Sequence, residues 1–571
     1  MDITAAALEN CGLSPETAVQ LQQRLQALPS QHENELWQTL VTDFLTPELP
    51  FAVHQLLYQS VYQSQLESGT PAPAWFPGER ELASSNLASW LNELNLHSME
   101  DLHSWSVHDR SHFTQKLIDS LRIQFQEPPR EIMNVETGIE QVQWLTGARL
   151  NIVESCFRDK ADGTAVCFQK GSSELQELSY TELKQLTARV ANGLREAGYE
   201  PGSRIAVMMP MTVESVAIFL GIIAAGCVVV TIADSFSAEE MQVRLKITQP
   251  ELIFIQDIIS RGSRQLPLYT KLGQEQQLPA IVLPEQETLQ VPLREGDRPW
   301  SEFLSENREL TCEPRNPHDE TTILFSSGTT GNPKGIPWDQ TTPIKSAGDG
   351  FLHHDIQAGD VVCWPTNLGW MMGPWLVYAT LINDATLALS DAVPTSRSFC
   401  EFVQNARVTM LGLVPSIVSA WRSQDSVAGL DWTRIKVFSS TGECSNPDDM
   451  LWLMSRAGYR PVIEYCGGTE TGGGTLSRGI SIAPREAAQV IAPAGGRVAF
   501  AGPYRGYERI VILEHADGWT SLVTGLARAD VAVGDELVGG APLGVAGVER
   551  PVVTLELRRA GEPVNPLDHV R

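Results

Sequence analysis

The residue types best suited to chemistry are concentrated at positions 326–335, SSGTTGNPKG, directly after the apolar run ILF at 323–325. Gly328, Gly331 and Gly335 free the backbone to curl around an anion. The hydroxyls of Ser326, Ser327, Thr329 and Thr330 can then face phosphate oxygens together with backbone N–H groups, and Lys334 adds a positive charge. The order is not G-x-x-x-x-G-K-[ST], so the loop is no Walker A motif. It predicts a cradle for a phosphorylated ligand.

The elements that must hold this loop follow from apolar periodicity. RIAVMMP, ELIFIQD, TTILFSS, VTMLGLVPS and IKVFSS read as buried strands, and ELKQLTARVANGLREAG and ESVAIFLGIIAAG as the helices between them. That alternation, from about residue 142 to 474, predicts an α/β domain with largely parallel sheets. Residues 1–130 hold 13 Gln and helix-like apolar spacing, as in LENCGLSPETAVQLQQRLQAL, and predict a helical N-terminal region. After Gly474 the character shifts: 475–571 has no Lys or Cys but ten Arg, and its short alternating runs predict an antiparallel β module. The expected division is 1–130, 131–474 and 475–571.

A net charge of −27 disfavours nucleic acid and anionic membranes as partners, although a local cradle with Mg²⁺ can still overcome that field for a nucleotide. The nine cysteines are scattered without a CxxC pair, which predicts reduced thiols, no structural zinc and a cytoplasmic protein. The opening MDITAAALEN lacks the basic and apolar pattern of a signal peptide. Residues 216–233 are apolar for nearly a membrane's thickness. A buried helix, a turn at Gly226 and a strand at 228–232 are the preferred reading, with no membrane span.

SSGTTGNPKG resembles the phosphate loop of the adenylate-forming superfamily, which includes acyl-CoA synthetases, luciferases and peptide-synthetase adenylation domains. Further stretches resemble the same family in order: LSYTEL at 178–183, RIAVMMP, GIIAAGCVVVTI, and a lead-in WLTGARLN at 144–151 like that of acetyl- and acetoacetyl-CoA synthetases. The resemblance implies an α/β large domain of two αβαβα subdomains. It implies ATP, Mg²⁺ and CoA as cofactors, with a carboxylic acid converted to acyl-AMP and then to acyl-CoA. By carry-over, residues 326–331 and Lys334 hold the phosphates, while Gly442 and Glu443 of STGE (440–443) pack against adenine. In EYCGGTE (464–470), Thr469 touches the α-phosphate and Glu470 is the Mg²⁺ ligand. Lys334, Thr469 and Glu470 are thus the implied catalytic residues.

LGWMMGP (368–374) resembles the lining of the acyl pocket, with Trp370, Met371 and Met372 as liners. Acetate-specific relatives carry Trp where Gly467 stands, so a carboxylic acid larger than acetate is expected. The family also uses a ribose-binding Asp in a TGD-like motif and a lysine on a small C-terminal domain. Neither motif follows Glu470, and the last lysine is Lys436, so impaired adenylation is expected. Losing one positioned cation commonly costs about 10²–10³ in rate.

The tail resembles a LytM-type metallopeptidase domain through APAGGRVAFAG, RIVILEHADGWTSLVTGL, VGDELVGGAPLG and VTLELRRAGEPVNP. The positions that the resemblance assigns to metal ligands read Ser477 and Ser481, then Thr554 in Val552–Thr554; the catalytic His position reads Gly525. With no nitrogen or carboxylate ligand there, no zinc is expected. His515 has no partner at metal spacing. The alternative function is therefore a non-catalytic binding protein whose tail contacts a murein amidase or peptidoglycan.

Overall fold

The structure is a computed structural model and describes residues 3–29, 31–67, 72–136, 142–158, 163–171, 173–261, 264–274, 276–327, 333–474, 480–482, 488–504, 509–547, 553–559 and 562–564. The chain divides into two compact units, one of 75–440 with 448–474, the other of 1–74, 441–447 and 475–571.

The larger unit is built on two seven-stranded sheets. Across the first run Arg298–Pro299, Ala280–Leu283, Leu252–Gln256, Arg204–Met208, Val228–Thr231, Glu320–Ser327 and Pro333–Asp339. Neighbours are parallel up to the final pair, which is antiparallel. The second runs Val462–Glu464, Val437–Ser440, Met410–Leu413, Val361–Cys363, Thr386–Ser390, Thr164–Gln169 and Gln176–Ser179, again parallel until its last pair. All five apolar runs expected as strands are strands.

Because successive side chains of a strand point to opposite faces, a sheet covered on both sides needs apolar residues throughout. Arg204–Met208 shows this directly. Ile205 and Val207 enter one core cluster, and Ala206 and Met208 enter another on the opposite face. The 216–233 run resolves into the helix Val213–Ala224, a turn at Gly226 with φ +80°, and the buried strand Val228–Thr231. Among the described residues no helix is long and apolar enough to cross a membrane. The neighbouring helix Tyr180–Glu196 starts with a reciprocal cap: the Ser179 hydroxyl accepts from the Glu182 N–H, and the Glu182 carboxylate accepts from the Ser179 N–H. Such a cap contributes about 1 kcal/mol. The two helices approach closely because Gly221 sits against Val190, where a Cβ would find no room.

In the smaller unit the N-terminal segment forms the helices Ala5–Asn10, Pro15–Gln26, Glu33–Asp43 and Phe51–Val61, started by Thr4, Ser14 and His32 side chains and, for the last, by Pro50. Trp37, Leu40, Val53 and Leu57 are fully buried there. The tail is an antiparallel sheet containing Gly496–Pro503, Arg509–Glu514, Trp519–Ala529 and Val553–Arg559. Val498, Val511, Leu513, Val523 and Leu526 form its core.

Candidate functional site

The antiparallel pair Glu320–Ser327 and Pro333–Asp339 sets Ser326 opposite Lys334, Phe325 opposite Gly335 and Thr322 opposite Trp338. The pair is therefore a hairpin joined by residues 328–332. Gly328, Thr329, Thr330 and Gly331 lie outside the described residues, and Ser327 is described by its backbone alone. Ser326 is half-buried and Lys334 is exposed, at the end of the hairpin next to residues 328–332.

The second part is the turn at Thr469–Thr471, flanked by Gly467–Gly468 paired antiparallel with Gly473–Gly474. Thr469 is half-buried and Glu470 exposed. Gly472 has φ +63° and no room for a Cβ beside Thr342, two reasons for glycine at one position. The turn packs on the strand Glu320–Ser327. Trp338, 2 % exposed, donates its indole N–H to the Thr469 carbonyl at 2.7 Å. Ser346 donates to the Gly472 carbonyl at 2.9 Å. Thus the strand that carries Lys334 also fixes the turn that carries Thr469 and Glu470.

Beneath the turn, Tyr465 donates to Asp349 Oδ2 at 2.6 Å. Burial and the neighbouring Asp349 charge push the phenol's pKa upward. His354 is buried against Trp375 and Tyr465, with Nδ1 at 3.1 Å from the Asp349 carbonyl and Nε2 at 3.0 Å from Ser439 Oγ. Burial pushes its pKa down to about 4, so the ring is neutral near pH 7.

The 368–374 segment is held by Asn367, which donates to the Met209 carbonyl at 2.7 Å and accepts from the Gly369 N–H at 2.8 Å. Trp370 is 49 % exposed, unlike a core aromatic, while Met371 is half-buried and Met372 buried at the start of the helix Met372–Leu381. The Trp370 ring lies 5.5 Å from Phe236, and the Arg244 guanidinium sits 3.7 Å over Phe236 and 5.3 Å from Phe325. This row of rings joins the Trp370 segment to the strand end at Ser326. A Cβ at Gly467 would collide with the Gly473 carbonyl oxygen, so the hairpin itself demands glycine there. Gly442 has φ +85°, and both it and Glu443 are exposed, directly following Val437–Ser440 in sequence.

Reasoning from sequence missed Trp338, Asp349 and Lys345. Lys345 and Asp349 stand four apart on the helix Thr342–Leu352, a spacing that reads as an ordinary helical ion pair. Only their contacts with the distant turn mark them out.

In the tail, Ser481 pairs with Thr554 and Thr554 with Thr524, next to Gly525 at φ +78°. Positions 477 and 552 lie outside the described residues. Both ring nitrogens of His515 are engaged, by the Gly495 carbonyl at 2.8 Å and Ser521 Oγ at 2.6 Å. Among the described residues no three His, Cys, Asp or Glu side chains cluster as a metal site. The nine cysteines carry no disulfide.

Three family models match parts of the chain. Residues 153–503 match the AMP-binding enzyme family, residues 475–566 match peptidase family M23, and residues 1–63 match the SAM domain of probable acyl-activating enzyme 17/18. The chain is 41 % identical over 495 residues to a hexanoyl-CoA synthase of Cannabis sativa, covering 81 % of this chain and 68 % of that protein. It is 41 % identical over 503 residues to the probable acyl-activating enzyme 17, peroxisomal, of Arabidopsis thaliana, covering 83 % and 69 %. The fold matches an acetoacetyl-CoA synthetase from Streptomyces lividans with a TM-score of 0.67 and 21 % identity, covering 86 % of this chain and 80 % of that one. The chain belongs to the AMP-binding enzyme family.

Proposed function

We propose that the chain activates a carboxylic acid with ATP, forming an acyl-AMP and then an acyl-CoA. The observation that carries this reading is the Trp338–Thr469 hydrogen bond, which makes the Lys334 hairpin and the Thr469–Glu470 turn one assembly. Attack of a carboxylate on the α-phosphate brings two anions together, so the site must neutralise charge where it develops. In this reading Lys334 and the 326–331 loop hold the phosphates, the Thr469 hydroxyl donates to the α-phosphate, and Gly442 and Glu443 face adenine. The exposed Glu470 carboxylate suits Mg²⁺, which is commonly held by one or two protein carboxylates together with phosphates. When bound, the ion supplies charge neutralisation on the phosphate oxygens.

Trp370, Met371, Met372 and Gly467 belong to the acyl pocket in this reading. The acid is larger than acetate; the hexanoyl-CoA synthase at 41 % identity supports a medium chain. A division near residues 130 and 474 and a cytoplasmic site of action are also part of the proposal. Ser481 and Thr554, paired across the sheet at two positions that the resemblance assigns to metal ligands, support a second reading of 475–571 as a non-catalytic module that contacts an amidase or peptidoglycan. Pyrophosphate release with ATP, Mg²⁺ and acids from two to ten carbons tests the main reading. Turnover favouring hexanoate over acetate is expected; no release with any acid contradicts it.

A further inference from the structure

We propose that Asp349, neutralised by Lys345, is a positioning residue that closes the ten-residue segment 465–474 on itself and so sets Thr469 and Glu470 for the reaction. One oxygen of this carboxylate, Oδ2, accepts from both ends of the segment: the Tyr465 hydroxyl at 2.6 Å at its entry and the Gly474 N–H at 2.8 Å at its exit. The other oxygen takes the Lys345 ammonium, which also donates to the Gly474 carbonyl at 3.1 Å, and His353 Nε2 lies 3.8 Å from it. The Asp349 side chain is 4 % exposed. A buried carboxylate is costly unless it is paired and hydrogen-bonded, and here every bond it makes is spent on one turn and the helix beneath it. Gly473 lies so close to Oδ2 that a Cβ there would collide with it, so the hairpin is fitted to the carboxylate. Between the two tied ends, Trp338 and Ser346 hold the Thr469 and Gly472 carbonyls. The segment is fixed at its entry, exit and two interior points.

The role in catalysis rests on the proposed carboxylate activation; the closure itself does not. Small misplacement of a reacting group costs rate far more than ground-state affinity, since a shift of about 1 Å can cost about 10²-fold. Asp349→Asn and Tyr465→Phe in the full chain test both layers by hydrogen–deuterium exchange and steady-state kinetics. We expect amides 466–474 to exchange about tenfold faster in Asp349→Asn while the strand Arg204–Met208 is unchanged, with a smaller acceleration in Tyr465→Phe. With rates expressed per folded molecule, the folded fraction being read from the unchanged exchange of Arg204–Met208, we expect kcat to fall about 10–100-fold while KM for ATP moves less than about threefold. Unchanged exchange in 466–474 overturns the closure, and altered exchange with unchanged kcat overturns the positioning role. If the unmutated chain releases no pyrophosphate with any acid, the parent reading and the positioning role fail together, and exchange still decides the closure. Should Asp349→Asn fail to fold, Tyr465→Phe, which loses one hydroxyl, carries the same readouts.

Discussion

The indole N–H of Trp338 stands 2.7 Å from the carbonyl oxygen of Thr469, 131 residues away in sequence. Four residues before Trp338 on the same strand is Lys334, and directly after Thr469 is Glu470. A cation-bearing hairpin and a carboxylate-bearing turn are joined by one half-buried hydrogen bond.

Trp338→Phe removes that donor while keeping most of the ring. The Thr469 carbonyl then retains the longer bond from the Gly472 N–H at 3.4 Å, and the loss costs about 0.5–1.5 kcal/mol. Urea unfolding should show that loss, and pyrophosphate release should fall further than stability alone dictates. Unaltered activity in a folded variant would separate the tryptophan from the site.

His354 makes stability depend on acid. Its folded pKa, pushed to about 4, lies below its ordinary value of 6.5. The unfolded chain therefore takes up a proton first as pH falls. The contribution is complete above pH 6.5 and is lost progressively between 6.5 and 4, amounting to about 3 kcal/mol. His354→Gln should flatten the Tm profile across this window; a profile as steep as the unmutated protein's assigns the slope to other groups.

Gly467→Ala tests whether position 467 answers to the hairpin or to the substrate. The added methyl collides with the Gly473 carbonyl, so a lower Tm and slower turnover with every acid are expected. A normal Tm combined with a shift toward shorter acids would give the position to the pocket alone.

Trp370 is half exposed, so Trp370→Ala should cost little stability, less than about 1 kcal/mol. Its effect should appear in the ratio of kcat/KM between hexanoate and acetate. A large stability loss without a changed ratio would make the ring structural.

Periodic pattern made the strands readable because a sheet covered on both faces imposes continuous apolar runs; ELIFIQD became Leu252–Gln256 on that ground. The same physics separated helix from strand within 216–233, since Gly226 interrupts the run. The glycine-rich stretch 326–335 stands out by composition, with residues 328–332 outside the described residues, and the strands Glu320–Ser327 and Pro333–Asp339 on either side of it pair as their apolar pattern allows. Asp349 was not legible. Its bond to Tyr465 spans 116 residues, and no local period encodes a contact made only after both sheets have formed. Trp338 was hidden similarly, as an aromatic on an edge strand whose polar end matters only once Thr469 arrives. Gly467 was read for the space it leaves in a pocket, whereas its neighbour across the hairpin gives a backbone reason.

The most direct test is the affinity of the full chain for Mg²⁺·ATP, measured by calorimetry for the unmutated protein, Lys334→Ala and Glu470→Gln. Saturable binding weakened about tenfold or more by each substitution is the expected result, with the Glu470→Gln loss confined to solutions containing Mg²⁺. Absence of binding, or equal affinity in all three proteins, would contradict a nucleotide site shared by the hairpin and the turn.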